Sequence, residues 1–278
     1  TPATWARPLA AADAIWVHHP SASKVLEALG VRDLERKLAV VPPMPARRAR
    51  VDEDQIGRVR DQLLLPYRSH LILRVDSNTE RKDWPATIAA MRGIIDAGIA
   101  ATLIAVTSPC RGSSVYDLAA LAEANGLVEG ADIKFIDSLM DDYELSSIMS
   151  ACDLGLSTSR GEYFGSFVRE ASAAGLATLA PAHSAWGEQV PGSAFQGSVN
   201  AAIFAPMAPK GLWRPMQSPP TLPAPVVDVE AITQNAIRAL RSVASRNLIA
   251  ESWAKSFAEE TSEASGNAVL QATGRVAE

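Results

Sequence analysis

Apolar residues in this chain fall into short unbroken runs, separated by stretches in which apolar positions recur every three to four residues. The runs His70 to Val75, Ala101 to Val106, Ile133 to Ile136, Leu154 to Ser157 and Ala177 to Ala180 carry few charges over four to six positions. That is the pattern of strands covered on both faces. Between them, Trp84 to Ala97, Tyr116 to Asn125, Tyr143 to Ser150 and Ser166 to Ala174 repeat with the helical period, and Gly126 and Gly175 stand where a left-handed residue closes a helix. Strands alternating with helices build βαβ units, so the spacing predicts an α/β fold: a Rossmann-like parallel sheet with helices on both faces.

The flanks are organised differently. Ahead of the main pattern come a helix over Ala6 to Ala12, a strand over Ala14 to Val17, a helix over Ser21 to Leu29 ended by Gly30, and a strand over Leu38 to Val41. Pro42, Pro43 and Pro45 cannot continue that strand and mark a linker. Two strands and two helices are too few for an independent Rossmann domain, so residues 1–46 are expected to be the end of an N-terminal domain with its linker. Residues 47–228 then form the main domain, opened by a helix over Asp52 to Leu65. Gly192 to Pro225, rich in Pro, Gly and Ser and containing Phe204 and Trp213, reads as an irregular excursion. Two helices, Val229 to Val243 and Asn247 to Gln271, fill residues 229–278.

Composition narrows the functional classes. The 278 residues are 47% hydrophobic and 21% charged, which excludes disorder, collagen and coiled coil. The longest nearly uncharged apolar stretch, Gly98 to Val106, is far short of the ~20 residues that span a bilayer, and a signal-peptide layout is lacking. A cytoplasmic protein is expected, with peripheral membrane association left open. A net charge of −5, with one short basic cluster at Arg47, Arg48 and Arg50, argues against nucleic acid as a partner. Cys110 and Cys152 are too few for a disulfide scaffold and are expected to be inert thiols; the four histidines form no metal motif, and no metal or cofactor is expected.

Two loops carry the candidate chemistry. The strand ending at Ser157 delivers the chain to Glu162; a glycine, Gly165, then lets it turn into a helix whose first amides, near Ser166, Phe167 and Val168, present the positive end of the dipole to an anion. Glu170 follows one turn inside that helix, placed to accept from the hydroxyls of a ribose. In the same topological position after the first strand, Arg74, Asn78, Arg81 and Lys82 lie in the segment before Trp84, and cations at a helix start call for an anionic partner there. The blander alternatives are solvated surface charges and an acidic residue that merely stabilises a helix start. Asp141 and Asp142 are read as capping the helix at Tyr143 and Trp84 as core; His18 and His19 are read as satisfied or exposed, with His183 and Ser184 as weaker candidates for the crevice.

In order along the chain, Asn78 to Lys82, Asp153 to Ser159, Glu162-x-Phe-Gly-x4-Glu170-Ala, Gly175 with Ala180, and Glu188 resemble the donor-binding domain of retaining GT-B glycosyltransferases of family 4, over about residues 68–190. Ala12 to Ile15 and the strand before Pro42 are similar to the last elements of that family's N-terminal domain. The resemblance implies that Glu162 contacts donor-sugar hydroxyls and acts with Lys82 in catalysis. It implies that Glu170 holds the ribose and that Lys82, with the Ser166 and Phe167 amides, meets the diphosphate. Ile136 to Ser138 would flank the base. Ser77 stands where the family usually has an arginine, Tyr163 replaces a common glycine, and most of the N-terminal domain lacks a counterpart here.

The expected function is therefore a metal-independent sugar transfer from a nucleotide-diphosphate sugar to an unidentified acceptor, whether glycan, lipid-linked or protein. The rivals are a noncatalytic nucleotide or sugar-phosphate binding module and a GT-B epimerase or phosphorylase.

Overall fold

The computed structural model describes residues 6–41, 51–63, 70–109, 115–162, 164–181, 203–205, 224–258, 264 and 266–269. Its centre is a five-stranded, wholly parallel sheet formed by β3 (His70–Val75), β4 (Ala101–Val106), β5 (Ile133–Ile136), β6 (Leu154–Leu156) and β7 (Thr178–Leu179) in the order β5-β4-β3-β6-β7. All five apolar runs thus contain strands, as their composition predicts. β3 pairs with β4 along its full length and with β6 through Ile72 opposite Leu154 and Leu73 opposite Gly155.

Helices α4 (Glu53–Leu63), α5 (Trp84–Asp96), α6 (Leu118–Ala124), α7 (Asp142–Ala151), α8 (Ser166–Ala173), α9 (Val229–Arg241) and α10 (Val243–Ser256) complete this unit. With this strand order, the right-handed rule for parallel crossovers assigns α5 and α6 to one face of the sheet and α7 and α8 to the other. The core lies between these layers: Leu71, Ile72, Leu73, Leu103, Ile104 and Ile133 of the sheet are fully buried, as are Ile88, Met91 and Ile94 of α5. Each such side chain contributes about 1.5 to 3 kcal/mol by leaving water. The helix starts follow from local chemistry. Asp141 accepts from the Glu144 amide while Glu144 accepts from the Asp141 amide, a capping box that opens α7.

Ahead of this unit, β1 (Ile15–Val17) pairs in parallel with β2 (Leu38–Val40), and α1 (Ala6–Ala11), α2 (Ser21–Ala28) and α3 (Leu34–Lys37) accompany them around a small core of Ile15, Leu26, Val31 and Leu34. The sequence pattern did not separate α3 from the strand that follows it without a break. The proline linker, residues 42–50, lies outside the described residues. The irregular excursion holds a correction: β8 (Ile203–Ala205) and β9 (Ala224–Val226) pair antiparallel, with Phe204 opposite Pro225. Three-residue runs and a proline inside one of them argue against strands, yet a proline is tolerated where its missing N–H is not asked to bond. The last helix starts at Val243 instead of Asn247, capped by the Ser242 hydroxyl accepting from the Ser245 amide, and closes at Phe257; residues 264 and 266–269, inside the expected range, are again helical.

Candidate functional site

The sheet order reverses between β3 and β6: the chain runs outward from β3 through β4 to β5, returns, and runs outward on the other side from β6 to β7. At such a switch point the loops leaving the two central strands diverge and open a crevice at the strands' carboxyl ends. Both candidate loops sit there. One runs from Asp76 to Asp83 after β3 and the other from Ser157 to Gly165 after β6.

Their backbones are knitted together. The Arg81 carbonyl accepts from the Arg160 amide at 2.8 Å and from the Ser159 hydroxyl at 3.3 Å. The Thr158 hydroxyl donates to the Asp83 carbonyl at 2.7 Å. Asp83 takes a left-handed conformation, φ 50°, and its carboxylate accepts from the Ala86 amide to start α5, with Pro85 in the first turn. Burial raises the Asp83 carboxyl above its ordinary value, partly offset by the Arg160 guanidinium, whose Nε lies 3.4 Å away. Burial raises Glu80 as well, again opposed by Arg160. On the other side of the crevice Gly165, φ 75°, turns the chain into α8; a side chain there would cost strain.

Charges alternate across the gap. Arg74 pairs with Asp76 (3.2 Å), Asp76 with Lys82 (2.5 Å), Lys82 with Glu162, and Glu162 with Arg81 (3.0 Å). The Lys82 and Glu162 side chains are only 12% and 9% exposed, so this contact is largely shielded from water, whereas Arg81 is 44% exposed. Arg81 also donates to the Gly161 carbonyl.

Three of the cations and amides selected from the sequence are placed differently from expectation. Arg74 is fully buried. Its five N–H groups are engaged by Asp76, Thr87, Thr158 and the Lys82 and Asp83 carbonyls, and its guanidinium lies 4.2 Å from the centre of the Trp84 ring. It therefore has no donor left for a ligand, and burial lowers its pKa against the opposing pull of Asp76. Asn78 is buried too: its amide donates to the Ser108 and Tyr116 carbonyls and accepts from the Tyr116 amide, so it ties this loop to the one after β4. The Val168 amide is satisfied by the Gly165 carbonyl, leaving those of Ser166 and Phe167 as the first two without a partner inside α8.

Ser166 is exposed, Phe167 buried beside it, and Glu170 half-buried one turn on. Ile136 ends β5, its carbonyl accepting from the Thr107 amide, and Ser138 is exposed just beyond. Trp84 is buried, as a core residue should be, and its ring N–H donates to the Ser77 carbonyl. The Cys152 thiol is raised by burial. Tyr163, Cys110, His183, Ser184 and Glu188 lie outside the described residues. Sequence reasoning missed Asp76, Arg160 and Arg169. The first two belong to a run of alternating charge from Arg74 to Asp83 and to its partner loop, a pattern legible in the sequence. Arg169 gave no signal, since its guanidinium lies between Phe164 (3.7 Å), five residues away, and Phe257 (4.6 Å), a ring far along the chain.

Among known proteins, no family model and no curated protein sequence matches this chain. Solved structures do. WaaG, a glycosyltransferase involved in lipopolysaccharide biosynthesis, superimposes with a TM-score of 0.65 at 18% identity, covering 92% of this chain and 61% of its own. Sucrose-phosphate synthase from Thermosynechococcus elongatus gives 0.70 at 18% identity, covering 98% and 60%. HepE from Anabaena, solved with UDP and glucose, gives 0.70 at 14% identity, covering 99% and 68%. The chain thus has the GT-B glycosyltransferase fold and spans about three-fifths of the length of the first two.

Proposed function

We propose that this chain is the donor-binding part of a retaining glycosyltransferase, which moves a sugar from a nucleotide-diphosphate sugar to an acceptor hydroxyl. The observation that carries this is the meeting of Lys82 and Arg81 with Glu162 at the switch point of the sheet, on the loop that leads into α8. That the similar HepE was solved with UDP and glucose supports it.

In this mechanism Lys82, Arg81 and the Ser166 and Phe167 amides meet the leaving diphosphate, an electrostatic stabilisation of developing charge that needs no resident metal or cofactor. Glu170 accepts from the ribose hydroxyls, Glu162 from those of the sugar, and Ile136 and Ser138 flank the base. Arg74 and Asn78 become positioning residues: each holds the cation-bearing loop in place. The acceptor attacks from the face that the nucleotide leaves. A noncatalytic binding module is the second possibility, favoured by Lys82 having its charge matched by two carboxylates, Asp76 and Glu162.

Calorimetric titration of the chain with UDP, GDP and ADP tests the site. One nucleotide is expected to bind saturably, and Lys82→Ala and Glu170→Ala each to weaken it by about 1 to 3 kcal/mol, the worth of a lost charged hydrogen bond. Failure of all three to bind overturns the proposal. Binding without any release of sugar from the corresponding nucleotide sugar, when acceptors are offered, selects the noncatalytic module.

A further inference from the structure

Glu162 occupies the place that the foregoing function requires a diphosphate to take. Both of its described ion pairs, to Lys82 and to Arg81, fall on the same oxygen, Oε1. The other carboxylate on Lys82 is held differently. Asp76 receives Nε and Nη2 of Arg74 together, at 3.3 and 3.2 Å, its side chain is 4% exposed, and its partner is a fully buried arginine at the end of a central strand. Glu162 instead follows Gly161, whose carbonyl takes the Arg81 guanidinium and where an added side chain would find its nearest neighbour, Arg81, at 3.9 Å, and it lies shortly before the left-handed Gly165. One carboxylate is thus gripped by both ends of a fully buried guanidinium, while the other holds its two cations through a single oxygen.

Phosphate oxygens arriving at Lys82 and Arg81 would meet a carboxylate already there, and like charges at that distance in a shielded site repel strongly. Either the phosphate or Glu162 takes the cations. Once displaced, Glu162 is a largely buried carboxylate in need of donors, and an unpaired buried charge is costly. The hydroxyls of a sugar attached to the diphosphate are donors of the right kind; a bare nucleoside diphosphate has hydroxyls only on its ribose, which Glu170 takes.

We infer that Glu162 is an exchangeable internal ligand of Lys82 and Arg81, displaced by the diphosphate and re-satisfied only by the sugar, so that it discriminates the sugar-bearing donor against the free nucleotide product. This rests on the proposed nucleotide-sugar function. It assigns Glu162 an effect opposite in sign to that of an ordinary contact residue: its removal strengthens binding of the product.

The test is titration of wild type, Glu162→Gln and Glu162→Ala with UDP, GDP and ADP and with UDP-glucose, GDP-mannose and ADP-glucose, with a thermal melt of each variant to establish that it folds. The nucleoside diphosphate that binds wild type is expected to bind both variants about five- to 150-fold more tightly, the span of one charged hydrogen bond released. Its sugar ester gains less or loses affinity, so that the preference for ester over diphosphate falls. Diphosphate affinity that is unchanged or weaker in folded variants overturns the exchange, while loss of diphosphate binding in Lys82→Ala still upholds the site itself. Absence of binding by wild type overturns the proposed function, and the exchange with it.

Discussion

Arg74 holds a full positive charge at a position with no exposed surface, which only the simultaneous use of its five N–H groups makes tolerable. Its planar fork reaches Asp76, two threonine hydroxyls and two loop carbonyls while one face lies against Trp84. Removing the charge strands Asp76 in the same enclosure. Arg74→Met is therefore expected to lower stability by about 3 to 5 kcal/mol, the cost of breaking a buried pair from one side, measured by urea denaturation without any ligand. A cation that merely contacted a ligand would lose affinity and leave the melt in place. Sequence alone marks Arg74 as one charge in an apolar run; whether such a charge faces the crevice or the core depends on Thr87 and Thr158, 13 and 84 residues away.

Helices α5 and α9 pack closely at one glycine. A β-carbon on Gly93 would come within 2.8 Å of Thr233 Cγ2, and the Thr233 hydroxyl is tethered to the Val229 carbonyl, so that methyl cannot swing aside. Alanine ordinarily improves on glycine inside a helix by about 0.5 to 1 kcal/mol. Here Gly93→Ala is expected to destabilise by about 1 to 3 kcal/mol from overpacking, and the double substitution Gly93→Ala, Thr233→Ser to recover most of the loss, since serine lacks the obstructing methyl. Thermal melts of the two variants decide it. Elements of this kind were the most legible feature of the chain: β3, β4 and β5 begin and end where their apolar runs do, and Asp141 caps α7 as its type and place suggest. The misses, α3 and the β8–β9 pair, are three or four residues long, too short for periodicity to register.

At the scale of the whole molecule, α10 closes the structure over the outer strand. Trp253 is fully buried, its ring N–H donates to the Thr178 carbonyl of β7 at 2.8 Å, and it stacks on Phe257, which in turn faces Arg169 at the start of α8. Among the described residues β7 pairs with β6 alone, and the tryptophan meets a carbonyl on its other side. Trp253→Phe keeps most of the apolar ring but leaves a buried carbonyl unmet; a loss of about 1 to 3 kcal/mol is expected, read as a lowered melting temperature. Calorimetry that found no change would mean that the carbonyl finds another donor. The chain's own pattern of apolar runs and helical repeats determined the alternation of strand and helix, the parallel sheet and the two loops in which chemistry would lie, because those follow from periods of two and 3.6 residues and from local turn residues. Only the tertiary structure decided which charges in those loops are frame and which face the crevice. Burial and pairing of a charge depend on partners tens of residues away, and a sheet that reverses its order at β3 and β6 is what brings Lys82 to Glu162.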